Sequence, residues 1–201
     1  MTRPSDLQRI TMITDSVFAV SVTLLAHSVR LPVEVIGQAA TLHDLTSFLD
    51  DLVALVLSFA IASMFWLAQR RDLRKVRIAT TRLVILNLAF LLTLVLLPIS
   101  TRLFSATSLT PLSAAFYSLN LLLASAARLA FRIEANSLAD PEAFGSVPRR
   151  LPEITPSLYS ISVFGASLLA AAFNPHLSEL FWSLGFFTPL LERVVERINR
   201  A

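Results

Sequence analysis

Six apolar stretches of similar length divide this chain, and basic charge is concentrated in every second connection between them. That arrangement constrains the fold more than any motif does. A helix needs roughly 20 mostly apolar residues to cross about 30 Å of hydrocarbon. In hydrocarbon every backbone N–H and C=O must be satisfied within the segment, so runs of this length become α-helices. The runs fall at about 10–30, 45–69, 80–103, 111–131, 155–173 and 177–197. Only 15% of the residues are charged, whereas a soluble domain carries about 25%. The expected fold is an all-α integral membrane protein with six transmembrane helices. Its 201 residues form a single domain, 1–201, without a second copy of the six-helix unit.

The basic residues sort the connections into two sets. Arg70, Arg71, Arg74, Lys75, Arg77 and Arg82 lie between helices 2 and 3. Arg128, Arg132, Arg149 and Arg150 surround the connection of helices 4 and 5. Arg3 and Arg9 precede helix 1, and Arg193, Arg197 and Arg200 lie near the end of the chain; only Arg30 and Arg102 fall on the other side. Lys and Arg accumulate in cytoplasmic loops. Both termini are therefore expected in the cytoplasm, which six spans allow, and the expected location is the cell inner (plasma) membrane. The other face carries Glu34, His43, Asp44, Asp50, Asp51, His176 and Glu179. A weakly acidic face would concentrate cations, although plain solvated loops account for it more simply.

Several function classes drop out. The net charge of +3 comes from these loop arginines and calls for no nucleic-acid partner. There is no cysteine, hence no disulfide scaffold or thiolate site. His27, His43 and His176 lack metal-ligand spacing, so neither a metal site nor a cofactor is expected. No GxSxG, HExxH or phosphate-cradling glycine loop is present, and the chain is not read as an enzyme. The first apolar run contains Asp15 and does not look like a cleavable signal. Ser5-Asp6-Leu7-Gln8 is a plausible capping box for helix 1, and the Pro-rich run ADPEAFGSVPRRLPEITP is a surface connection.

Helix 1 carries the residues that most need a reason. An intramembrane carboxylate such as Asp15 normally faces a bundle interior or a wet cavity and has a partner. Arg9 and the basic end of helix 2 are the expected partners. At about 100° per residue, Val20, Thr23, Leu24 and His27 fall on one stripe, which Ser16 and Leu31 continue. For Thr23 alone, a bond back to a carbonyl one turn earlier is the simpler reading. Trp66 suits an interfacial belt. Asn87 and Thr93 in helix 3, with Tyr117 and Asn120 in helix 4, suit inter-helix hydrogen bonds worth about 0.6–2 kcal/mol each. Ser162, Ala166 and Ala170 form a small-residue row that permits close helix packing.

These residues resemble the prokaryotic members of the transmembrane protein 175 family, potassium channels without a TVGYG filter. The family signature opens helix 1 as Arg, three residues, Phe-Ser-Asp, one residue, Val-Phe-Ala, then Thr-Leu-Leu. Here Arg9, Ile13, Thr14, Asp15, Val17, Phe18, Ala19, Thr23, Leu24 and Leu25 occupy that pattern. Trp66, Asn87-Leu88, Phe90-Leu91, Pro98, Tyr117 and Asn120 extend the likeness through most of the first 130 residues. The resemblance implies a homotetramer in which helix 1 of each subunit lines a central pore. It makes Val20, Leu24 and, toward the outside, His27 the constriction, and Thr23 the hydroxyl layer associated with selectivity. Arg9, Thr14, Asp15, Trp66, Gln69 and Arg70 would form a cytoplasmic-side polar network. The sequence departs from the family at Ile13-Thr14, where the family has Phe-Ser. Gln69-Arg70 replaces a His-His pair, which leaves Arg70 to pair with Asp15. His27 replaces an aliphatic residue.

The function implied is passive conduction of potassium, alone or with other monovalent cations, through an apolar constriction that gates by dewetting. Protonation of pore-facing His27 would place positive charge in the ring, so outer acidification is expected to reduce cation current. The alternative is a small secondary, proton-coupled transporter using Asp15. Against it, no Gly-Pro break interrupts helix 1 and no two halves of the chain resemble each other.

Overall fold

The computed structural model describes residues 4–29, 42–106, 109–138 and 150–200. Arg3, Arg30, Leu31, Glu34 and Arg149 lie outside the described residues, as do the side chains of His43, Asp44, Arg150, Arg197 and Arg200. All regular elements among the described residues are helical: α1 (Pro4–Leu25), α2 (Leu42–Leu73), α3 (Thr81–Ala106), α4 (Pro111–Ser137), α5 (Arg150–Phe173), α6 (Pro175–Leu184) and α7 (Thr188–Arg200). A short 3-10 turn, Ala26–Ser28, continues α1, and another, Gly185–Phe187, joins α6 to α7.

Five of these helices, α1 to α5, are long and apolar enough to cross a membrane. The sixth span expected over 177–197 is instead broken in two. Proline lacks an N–H, and its ring collides with the carbonyl four residues earlier; Pro189 directs that collision at Gly185, where the 3-10 turn begins. Gly185 also lies under Phe164, whose Cζ would be 2.9 Å from a Cβ built there. The Tyr159 hydroxyl donates to the Leu184 carbonyl at the same break, 3.0 Å. In α1 the helix begins at Pro4, so Ser5 lies inside it rather than at the cap expected of Ser5–Gln8. A capping box occurs instead at Thr110–Ser113, where α4 starts with Pro111.

α4 is the hub of the bundle, packed on α3 and α5 and touching α2 and α6, while α1 packs on α3 and α2. Phe65, Phe90, Leu94, Tyr117, Leu121, Phe164 and Trp182 fill the core. Outward faces remain apolar: Val56, Ile85, Leu92, Leu112 and Leu169 are all exposed. Water would not tolerate so much uncovered hydrocarbon surface on a monomer, whereas lipid or a neighbouring chain would.

Candidate functional site

Helix α1 is the least buried of the five long helices. Val20 is 58% exposed and Leu24 43% exposed, and Ser16, Thr23 and His27 are exposed with them. The residues of the stripe thus share a face that nothing else among the described residues covers. Thr23 Oγ1 donates to the Ala19 carbonyl at 2.8 Å, which is the local bond of the simpler reading and leaves its lone pairs facing outward. An open groove between α1 and α3, lined by Ser16, Val17, Val20, Ser21, Leu24 and Val95, borders this face.

The opposite side of α1 is held by two polar junctions. In the first, Trp66 Nε1 donates to Asp15 Oδ1 at 2.8 Å, and the indole stacks on Phe18 with ring centroids 5.1 Å apart. The Arg70 guanidinium sits over the Trp66 ring, 5.2 Å from its centroid. The ion pair expected of Asp15 with Arg9 or Arg70 is therefore replaced by a neutral donor. Arg70 meets the ring of the tryptophan that bonds Asp15, and Arg9 is exposed. The half-buried carboxylate is thus satisfied by an indole N–H without burying a second charge beside it.

In the second junction, Gln69 Nε2 donates to Asn87 Oδ1 at 2.9 Å. Asn87 Nδ2 donates to Thr14 Oγ1 at 3.0 Å, and Thr14 Oγ1 reaches the Ile10 carbonyl at 2.8 Å. All three side chains are buried, so one Thr, one Gln and one Asn tie α1, α2 and α3 together. Higher in the bundle, Asn120 donates to the Thr93 carbonyl at 3.3 Å and to Ser100 Oγ at 3.2 Å, joining α4 to α3 around Pro98. Tyr117 meets Ser58 at 2.9 Å and packs edge-on against Trp182.

One cluster was not anticipated. Arg128 and Arg132, one turn apart on α4, turn inward instead of outward. Arg128 Nη2 lies 2.7 Å from Glu192 Oε1 and 3.6 Å from Asp72 Oδ2. Arg132 Nε lies 3.0 Å from Asp72 Oδ2, and its Nη2 is 2.9 Å from Glu192 Oε1. Arg71 also pairs with Glu192. The cluster joins α2, α4 and α7 with charges that nearly balance. Its signal in the sequence was the spacing: two arginines at i and i+4 on a helix that otherwise reads as a span need carboxylates, and Asp72 follows the 45–69 run while Glu192 lies inside the 177–197 run.

The fold and its apolar exterior first define a class: an all-α, multi-pass membrane protein. Within that class, residues 9–98 match the family model described as TMEM175, endosomal/lysosomal potassium channel TMEM175. This is the family that the helix 1 residues resemble, and the match contains Asp15, Trp66, Gln69 and Asn87. The chain also has the fold of a lysosomal potassium-selective channel TMEM175 homologue from Chamaesiphon minutus. That crystal structure aligns with a TM-score of 0.74 at 18% sequence identity, covering 94% of this chain and 98% of that one. No curated protein matches the sequence.

Proposed function

We propose that this chain is a potassium-permeable cation channel of the TMEM175 type, in which α1 of several copies surrounds a central pore. The observation that carries the proposal is the uncovered α1 face. One stripe of Val20, Thr23, Leu24 and His27 cannot enclose a path by itself, whereas copies around a closed axis can; four copies is the number the family resemblance implies. In that assembly Val20 and Leu24 form an apolar constriction that excludes ions when it dewets. Thr23 supplies a hydroxyl layer, His27 lies toward the outer mouth, and potassium is the permeant ion. Both termini face the cytoplasm across the cell inner membrane. Asp15 acts as an anchor: its contact with Trp66 ties α1 to α2, which argues against a mobile proton carrier. Arg9, Thr14, Gln69, Arg70 and Asn87 complete the supporting network.

The test is potassium flux into vesicles containing the purified protein. Discrete single-channel openings that Val20→Ser and Leu24→Ser make more frequent support the reading. Flux that saturates slowly and follows a proton gradient would indicate a carrier, and silence of wild type and both variants would sink it.

A further inference from the structure

At the basic end of the bundle the carboxylates and the arginines that face them are paired within the fold, while two further arginines stay exposed. Asp72 and Glu192 are buried in the ionic cluster, Glu134 is taken up by Arg82 at 3.4 Å, and Asp15 is held by Trp66. Arg70 and Arg74, by contrast, are exposed. Arg70 and Arg74 therefore stay at the surface of this end, outside the ionic cluster that takes up Arg71, Arg128 and Arg132.

Arg70 and Arg74 also finish a stripe. Val56, Phe59, Ser63, Leu67, Arg70 and Arg74 follow one another at three- and four-residue steps along one face of α2, and all but the half-buried Ser63 are exposed. At 1.5 Å per residue, Val56 to Leu67 covers about 16 Å, close to one leaflet's half of a roughly 30 Å hydrocarbon core. The guanidiniums start where that apolar length ends. Stacking on Trp66 orders Arg70 and leaves its N–H edge available to an anion.

We infer that this face of α2 is a binding site for an anionic phospholipid, with acyl chains along Val56, Phe59 and Leu67 and the headgroup phosphate bound by Arg70 and Arg74. Charge complementarity selects the occupant, because a zwitterionic lipid offers the same tails but no net charge to a site whose exposed polar end is formed by Arg70 and Arg74. The two arginines are worth roughly thirtyfold in relative affinity for the anionic lipid.

The experiment is native mass spectrometry of the intact detergent-solubilised assembly after exchange into mixed micelles of phosphatidylglycerol and phosphatidylcholine. Wild type is expected to retain phosphatidylglycerol preferentially. R70Q/R74Q should lose most of that preference, and R70K/R74K should recover much of it, since two ammonium groups keep the charge. Helical circular dichroism confirms that both variants are folded. Equal retention of the two lipids by wild type overturns the inference, as does an unchanged preference in R70Q/R74Q. Displacement of the lipid by inorganic phosphate overturns it too, because it would mark a phosphate site in which the tails take no part.

Discussion

Along α1, Val20, Thr23, Leu24 and His27 face away from their own chain, while Arg128, Arg132, Asp72 and Glu192 turn inward where α4 meets α2 and α7. The first region is apolar and uncovered, and the second is charged and sealed. The inversion follows from the solvent. With lipid outside, hydrocarbon gains little by moving inward, so interior contacts are made by groups that need partners. A carboxylate or guanidinium has its alternatives priced in several kcal/mol per buried ion, and it goes wherever a counter-charge can be found. The charged region is therefore complete within one chain, whereas the α1 face is left uncovered by the described residues of its own chain.

The sharpest way to break this contrast is at Glu192. Its removal in Glu192→Gln leaves Arg128 and Arg132 facing a single carboxylate, and thermal unfolding in detergent should show a loss of about 3–5 kcal/mol. A loss below about 1 kcal/mol would mean that water reaches the cluster. Next comes Asn87→Leu, which strands Gln69 Nε2 and leaves Thr14 Oγ1 with its bond to the Ile10 carbonyl alone. The same assay should register about 1–3 kcal/mol. At the uncovered face, Val20→Ser and Leu24→Ser should each alter stability by no more than about 0.5 kcal/mol while raising potassium flux in vesicles. A large stability loss with unchanged flux would place these side chains in a packed interface. The smallest effect is expected at His27. Lowering the outer pH should reduce cation current in wild type, and His27→Ala should abolish the response. Matching pH profiles for the two proteins would remove His27 from the pore.

Much of this molecule was legible in one dimension because the governing periods are local. Run length marked the five long helices, and the alternation of basic connections marked which ends lie together. The 100° step marked the stripe on α1, whose members do share a face. The partners of Asp15 were harder to read. Arg9 and Arg70 were the obvious counter-charges, yet an indole N–H took the position, because α2 presents Trp66 at the level of Asp15 and Arg70 one turn beyond it. The arginines of α4 have a second role that was hidden for a related reason. Charge near the end of a span looks like a cytoplasmic marker until a facing carboxylate is found, and Asp72 and Glu192 are 120 residues apart in the chain.

The sequence by itself determined the helical class, the presence of α1 to α5, whose ends differ from the apolar runs by up to six residues, and the composition of the α1 stripe, since each depends on neighbours within a few turns. Only the tertiary structure decided where the last run breaks, that Trp66 rather than an arginine holds Asp15, and that Arg128 and Arg132 are buried. Those outcomes depend on side chains from different helices meeting at one depth, and no local pattern encodes that depth.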